Sequence, residues 1–206
     1  RIIGILLNME SHGMGFTTAL EIREELIKFK QTGKKLFAYM NSAGMRTYLL
    51  VSPADKIYMP PSGSTYVMGL RAEVPFYRKM FDKIGITPEF VAIGKYKTGP
   101  QIFTMEQMSD EYREVLNDLL DAYYTDYVEM IAEARNVSVE QVKAWIDDGL
   151  YTAPDALEAG MIDELLYESQ LEKKLQVELG LIDEEKEAEA DKEKEEEEEK
   201  KEEDKD

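Results

Sequence analysis

The fold of this chain is decided by the run Leu36-Phe37-Ala38-Tyr39-Met40, which has the length and apolar character of a strand covered on both faces. A similar run, Ile-Ile-Gly-Ile-Leu-Leu, occupies residues 2–7. Between the two, Thr18-x-x-Glu21 has the pattern of a helix capping box, and a helical apolar period follows until Gly33. A strand, a helix and a second strand in this order predict a right-handed crossover and a parallel sheet.

The rest of the chain continues this alternation. Further strands are predicted at residues 56–59 and 89–93, with a last short strand beginning at Met161. Helices are predicted at residues 42–51, 75–84, about 109–135, from Ser138, 152–160 and 166–179. The predicted fold class is therefore α/β, with a mainly parallel sheet flanked by helices and a helical carboxyl-terminal extension.

The carboxyl-terminal residues differ in kind from the rest. Residues 183–206 carry sixteen acidic residues and six lysines, a net charge of −10, which leaves −8 of the total −18 for the remaining chain. With almost no apolar residue, this segment cannot bury enough surface to offset the entropy of ordering it. We therefore predict one domain over residues 1–181, followed by an acidic low-complexity tail or linker over residues 182–206.

Composition excludes several classes of function. The acidic balance argues against nucleic acid as a partner, and no apolar run is long enough to span a membrane. The chain has no cysteine and one histidine, His12, so neither a thiolate nucleophile nor a histidine-rich metal site is expected, and we expect no cofactor. Because the chain begins at Arg1 inside a strand-like run and without an initiator methionine, we expect it to be a fragment or a processed product, with any membrane contact made through segments that this sequence does not include.

A lysine-containing loop is the first candidate for chemistry. The segment Gly94-Lys95-Tyr96-Lys97-Thr98-Gly99-Pro100 follows the predicted strand at residues 89–93, and its glycines allow the backbone to turn sharply. A lysine at a strand end can serve as a general base if burial favours its neutral form. The alternative interpretation is that the two lysines are solvated surface charges.

Five short motifs, taken in order and at their spacing, resemble one peptidase family. They are Ser11-His12-Gly13-Met14 between a strand and a helix, residues 52–57 (Ser-Pro-Ala-Asp-Lys-Ile), residues 82–86 (Asp-Lys-Ile-Gly-Ile), residues 94–98 (Gly-Lys-Tyr-Lys-Thr) and a closing segment at residues 149–165. Together they cover about residues 1–166 and are similar to the signal peptide peptidase A, or protease IV, family (peptidase family S49). The resemblance implies the Clp-protease/crotonase fold.

The resemblance also implies a mechanism and a setting. The family uses a Ser-Lys dyad, in which a neutral lysine takes the proton of the nucleophilic serine. By this match Lys97 is the general base, Lys95 is its solvated neighbour, and Gly13 and Met14 lie where backbone N–H groups form the oxyanion hole or bind substrate. The family acts on hydrophobic or signal peptides, assembles into oligomers, and works in association with the extracytoplasmic face of the bacterial plasma membrane.

The chain departs from the family at the nucleophile. The family's Ser-Gly-Gly turn falls on Met45-Arg46-Thr47, and a methionine cannot attack a peptide carbonyl in this role. Ser42 lies three residues away and would serve only if the turn carried an insertion. The chain therefore resembles most the amino-terminal half of the long, duplicated form of the family, whose second half supplies the serine. Two further departures are His12 and Met14, which replace a proline and a glycine of the family.

Three functions remain open on the sequence alone. In the first, the chain is half of a serine peptidase, with Lys97 as its base and the serine on another domain or subunit. In the second, it is a catalytically inactive scaffold or peptide-binding module. In the third, it is a crotonase-like acyl-CoA enzyme, which the Gly-Lys-Tyr-Lys motif disfavours. A buried Lys97 in an apolar groove favours the first function, and a Lys97 that points to solvent favours the second.

Overall fold

The computed structural model describes residues 2–9 and 14–183. The chain divides into two compact units, Arg1–Val67 with Leu150–Asp206, and Met68–Gly149. Most of the predicted acidic tail, from residue 184 onward, lies outside the described residues. The predicted boundary between a domain at residues 1–181 and a tail at residues 182–206 stays a prediction.

The described chain contains both strands and helices, as the sequence predicts, but the two do not alternate strictly. In chain order they are β1 (Gly4–Met9), α1 (Phe16–Gln31), β2 (Lys35–Met40), β3 (Ser42–Gly44), α2 (Met45–Val51), β4 (Lys56–Met59), β5 (Ser64–Tyr66), α3 (Arg78–Ile84), α4 (Gln101–Thr104), α5 (Asp110–Arg135), α6 (Val139–Asp148), β6 (Leu150–Thr152), α7 (Ala153–Glu158), β7 (Glu164–Leu165) and α8 (Glu168–Glu178).

The first unit is built on a parallel sheet in the order β1-β2-β4-β7. Helix α1 joins β1 to its neighbour β2, so the predicted β-α-β crossover and parallel pairing are confirmed. Two carboxylates satisfy backbone donors of the inner strands. Asp55 Oδ2 accepts from Leu36 N at 2.8 Å, and Asp163 Oδ2 accepts from Ile57 N at 2.8 Å. These bonds fix where β2 and β4 begin.

A second, three-stranded sheet joins β3, β5 and β6. Strands β3 and β5 pair in parallel, and β5 and β6 pair antiparallel. Each of these strands has three residues, too few to show an alternating pattern, so the sequence predicted a single helix over residues 42–51 where β3 precedes α2. This small sheet leads the chain from Asn41 into the start of α2.

The core of the first unit lies on both faces of the central strands. Phe37 and Tyr39 of β2 and Tyr58 of β4 form one cluster with Leu166 and Leu171. Helix α2 contributes four consecutive buried residues, Tyr48, Leu49, Leu50 and Val51. Full burial of both faces of β2 and β4 explains why these strands read as continuous apolar runs in the sequence.

Helix α8 is held to the same sheet by charge as well as by packing. Lys56 Nζ pairs with Glu178 Oε1, and Lys174 Nζ pairs with Glu164 Oε1 at 2.9 Å. Tyr58 is fully buried nearby, and its hydroxyl makes no hydrogen bond to the described residues. Burial, followed by the carboxylates of Glu178, Glu164 and Asp163, raises the pKa of this hydroxyl above its usual value.

The second unit contains α3, α4, α5 and α6. Its buried side chains come from the last turns of α5 and from α6, and they are Tyr127, Val128, Ile131, Ala132, Val142, Trp145 and Ile146. Asn136, at a φ of 54°, ends α5 in the left-handed region, and Ser138 caps α6. Among the helices of the described residues, none is long and apolar enough to cross a membrane.

The prediction of a strand at residues 89–93 is wrong. The structure gives this segment no strand hydrogen bonds, and Val91 and Ile93 are almost fully exposed. The residue types favour a strand, but a strand needs a partner, and none of the described strands pairs with these residues. The prediction that Thr18 caps a helix is also wrong, since α1 begins at Phe16 and its N-cap is Gly15.

Candidate functional site

The lysine loop of the second unit is a tight turn. Gly94 has a φ of 86°, and its carbonyl accepts a hydrogen bond from Lys97 N at 3.2 Å. A side chain at position 94 would be strained in this left-handed conformation, which accounts for the glycine. Thr98 O then accepts from Gln101 N at 2.9 Å, where α4 begins directly after Pro100.

Aromatic packing anchors the two ends of this loop. The ring of Phe103 in α4 lies 5.7 Å from that of Phe90, 6.1 Å from that of Phe81 and 6.3 Å from that of Tyr77, measured between centroids. The backbone adds a hydrogen bond from Tyr77 N to Ile102 O at 2.7 Å. Residues 90 and 103 are therefore held together on either side of the lysines.

The two lysines of the loop have different surroundings. Lys95 Nζ lies 4.9 Å from the centroid of the Tyr96 ring, and the Tyr96 hydroxyl donates to Glu114 at 3.0 Å. Lys97 is exposed and makes no ion pair with the described residues. The structure thus leaves Lys97 free to meet another molecule, and within this chain it does not provide the buried, apolar environment that a lysine base requires.

The position to which the motif resemblance assigns the family's nucleophile lies in the first unit, at the start of α2. Met45 is the first residue of that helix, directly after β3 and the N-cap Gly44. This strand-to-helix junction is the expected place for a nucleophile, yet the residue there has no group that can attack a carbonyl. Ser42 belongs to β3, where it pairs in register with Ser64, so it lies in the strand and not at the junction.

The predicted oxyanion loop is described only in part. Gly13, like Ser11 and His12, lies outside the described residues. Met14 is half-buried, and its carbonyl oxygen accepts a hydrogen bond from Arg46 Nη1 at 2.6 Å. Arg46 therefore joins the predicted loop to the first turn of α2. No sequence motif indicated this contact, because it joins residues that are distant in the chain.

Candidate ligands for a metal ion are not grouped in the described part of the chain. Nowhere in residues 2–9 and 14–183 do three or more His, Asp or Glu side chains come together in a way that could hold a metal ion. The features that carry chemistry are thus the turn that presents Lys97, in the second unit, and the junction of Met14, Arg46 and Met45, in the first. The roles assigned to Lys97, Gly13 and Met14 stay predictions.

Comparison with known proteins identifies the family. The sequence profile described as peptidase family S49 matches residues 28–187. The chain is 30% identical over 186 residues to "Serine protease SPPA, chloroplastic" of Arabidopsis thaliana. The matched region is 90% of this chain and 28% of that protein. It is 28% identical to "Protease 4" of Haemophilus influenzae, covering 87% of this chain and 31% of that protein.

A shorter relative matches as well. "Putative signal peptide peptidase SppA" of Enterococcus faecium is 26% identical over 181 residues, which is 87% of this chain and 52% of that protein. The chain thus spans between about a quarter and a half of the length of these relatives. The profile match over most of the described residues, and the α/β architecture with its parallel sheet, agree with the resemblance seen in the motifs. The chain belongs to peptidase family S49, whose fold is of the Clp-protease/crotonase type.

Proposed function

We propose that this chain is the lysine-bearing half of a serine endopeptidase that works by a Ser-Lys dyad. The observation that carries the proposal is the contrast between Lys97 and Met45. The Gly94 turn presents Lys97, where the motif match places the family's base, while Met45 stands where the same match places the family's serine. The serine must therefore come from another domain or subunit.

The chemistry assigned to each part follows from the dyad. Neutral Lys97 accepts the proton of the serine hydroxyl as its oxygen attacks the peptide carbonyl, and later returns that proton to the leaving amine. Backbone N–H groups near Gly13 and Met14 would stabilise the negative charge on the carbonyl oxygen. A lysine is neutral near pH 7 only when it is shielded from water, so the partner must also cover Lys97.

The substrates that we propose are hydrophobic peptides, including signal peptides. Family membership supports this class, and the relatives whose names contain signal peptide peptidase or protease support proteolysis. By the same resemblance, the proposed place of action is the extracytoplasmic face of the bacterial plasma membrane.

Hydrolysis of a fluorogenic hydrophobic peptide tests the proposal. The chain is assayed alone and mixed with a serine-bearing S49 domain, and we expect activity only in the mixture. Lys97→Ala should abolish that activity, while Lys95→Ala, the matched control two residues away, should keep most of it. If the mixture assembles but remains inactive, or if Lys97→Ala is as active as the parent chain, Lys97 is not the base.

A second candidate function is a catalytically inactive module that binds peptides or supports assembly. The exposure of Lys97 favours it, since a lysine that points to solvent lacks the surroundings of a base. Binding of the same peptide to the chain, measured by fluorescence anisotropy without turnover in any mixture, would select this function over the first.

A further inference from the structure

Helices α5 and α6 of the second unit are joined by a tightly hydrogen-bonded turn. Asn136 ends α5 in the left-handed region, and Val137 N donates a hydrogen bond to Ala132 O at 3.0 Å. Ser138 then caps α6 by accepting a hydrogen bond from Gln141 N at 3.1 Å. The turn therefore holds the two helices side by side where they leave it.

A small cleft with a volume of about 140 Å³ lies between these two helices. Its lining residues are Tyr124, Thr125, Val128 and Glu129 of α5, and Val139 and Lys143 of α6. The cleft continues past Glu129 and Val139 into a wider groove that reaches Asn136, so a ligand can enter it from solvent. Since a cavity of about 150 Å³ is large enough to bind benzene, this cleft has room for a ligand of about six to eight non-hydrogen atoms.

Two opposite charges line this cleft without pairing with each other. Glu129 and Lys143 are both exposed, and the side chain of neither forms an ion pair or a hydrogen bond with the described residues. The floor of the cleft is apolar, since Val128 is 1% exposed and Val139 is half-buried. A ligand with one positive group, one negative group and a short apolar part would contact both charges and the floor.

Two hydroxyl groups add to the polar lining of the cleft. The side chains of Tyr124 and Thr125 make no hydrogen bond within the described part of the chain. Burial, followed by the carboxylate of Asp147, raises the pKa of the Tyr124 hydroxyl above its usual value. This hydroxyl therefore keeps its proton at neutral pH and can donate a hydrogen bond, so a carboxylate in the cleft has two donors, Tyr124 and Lys143.

We propose that this cleft binds a free α-amino acid with a short apolar side chain. The ammonium group of the ligand pairs with Glu129, and its carboxylate pairs with Lys143 and accepts a hydrogen bond from Tyr124. Its side chain packs on Val128 and Val139. L-Valine, with about eight non-hydrogen atoms, fills a cleft of this volume.

This inference goes beyond the proposed function and does not depend on it. The cleft is lined by residues other than Lys97 and Met45, and binding is measured on the chain alone, without turnover. An inactive peptidase mixture would therefore leave the amino-acid site standing, and a failure to bind amino acids would leave the peptidase proposal standing.

Titration of the chain with L-valine, followed by ¹H–¹⁵N NMR, is the first test. We expect saturable chemical-shift changes at the residues that line the cleft, with a dissociation constant of about 1 mM for a ligand of this size. N-Acetyl-L-valine lacks the ammonium group and L-valinamide lacks the carboxylate, so each should bind about tenfold more weakly. A titration that does not saturate, shifts that lie away from the cleft, or equal binding of either analogue would overturn the inference.

Two charge variants test which side chain meets which group of the ligand. Glu129→Gln should bind L-valine about tenfold more weakly and should no longer discriminate against N-acetyl-L-valine, because the partner of the ammonium group is gone. Lys143→Gln should in the same way lose discrimination against L-valinamide. The matched controls, Glu140→Gln and Lys83→Gln, change exposed charges outside the cleft and should leave the dissociation constant unchanged.

Circular dichroism should show that all four variants remain folded, since each changes an exposed side chain. If either cleft variant binds L-valine as tightly as the parent chain, or if the controls weaken binding as much as the cleft variants do, the inference is wrong.

Discussion

The central sheet of the first unit and residues 70–104 of the second are both rich in apolar residues, yet they use them in opposite ways. In β2 and β4, Phe37, Ala38, Tyr39, Ile57 and Tyr58 are all buried. In residues 70–104, Ile86, Phe90, Val91 and Ile93 are all exposed. Both regions contain short apolar runs, so the difference lies in whether a pairing strand is available within the described chain. An apolar run thus predicts that a surface needs covering, but not that the same chain covers it.

The largest expected effect compares one isoleucine from each region. Ile57→Ala removes a side chain that is fully buried in β4, and we expect the free energy of unfolding to fall by about 2–5 kcal/mol. Ile93→Ala removes one that is exposed, and we expect a change within about 0.5 kcal/mol. Urea denaturation of both variants, at a concentration where the chain is monomeric, gives the two values.

The two outcomes separate different explanations of the comparison. Similar losses in both variants would mean that residues 89–93 are covered within the single chain, which contradicts the exposure of Val91 and Ile93. A large loss in Ile57→Ala alone would confirm that only the apolar run of the first unit stabilises the folded chain.

A smaller effect concerns the local signals that begin helices. Ser138 accepts a hydrogen bond from Gln141 N at 3.1 Å at the start of α6, so Ser138→Ala should cost about 1 kcal/mol of stability. Thr18 has the same motif in the sequence but lies inside α1 and is exposed, so Thr18→Ala should cost less than about 0.5 kcal/mol. Thermal unfolding of the two variants tests this ranking. The reverse order would show that the helix of the first unit begins later than described.

These two motifs show how much of the local structure the sequence predicts. Helix starts that depend on residues close in the chain, at Ser109, Ser138 and Thr152, were predicted where the structure has them. The β-α-β unit was predicted because both of its strands are six residues long, which is enough for their apolar runs to be recognised in the sequence. The second sheet was missed because its three-residue strands show no period, and the strand at residues 89–93 failed because pairing depends on distant residues.

The candidate site likewise has features that the sequence predicts and features that it does not. The glycine turn before Lys97 could be read from the sequence, and so could the absence of a serine at the start of α2. The contact between Arg46 and Met14 could not be read, because it joins residues 32 positions apart through one side chain. The surroundings of Lys97 depend on what covers the second unit, which no pattern within residues 94–100 encodes.

The smallest expected effect tests the buried end of the comparison, at Tyr58 between β2 and α8. Because the pKa of this hydroxyl is raised in the folded chain, first by burial and then by nearby carboxylates, the folded state keeps its proton where the unfolded state loses it. The stabilisation that this pKa difference gives is complete below the pKa of the unfolded state, about 10, and is lost as the pH rises above that value.

At neutral pH, Tyr58→Phe should be neutral or stabilising by up to about 1 kcal/mol, since the hydroxyl has no hydrogen-bond partner among the described residues. Above about pH 10, this variant should lose stability less steeply than the parent chain. Urea denaturation at pH 7 and between pH 9 and 11 measures both, with Tyr96→Phe as a control because Tyr96 is exposed in the second unit. If the free energy of unfolding falls equally steeply with pH above pH 10 in Tyr58→Phe and in the parent, water reaches Tyr58. Helix α8 would then cover this sheet more loosely than its ion pairs imply.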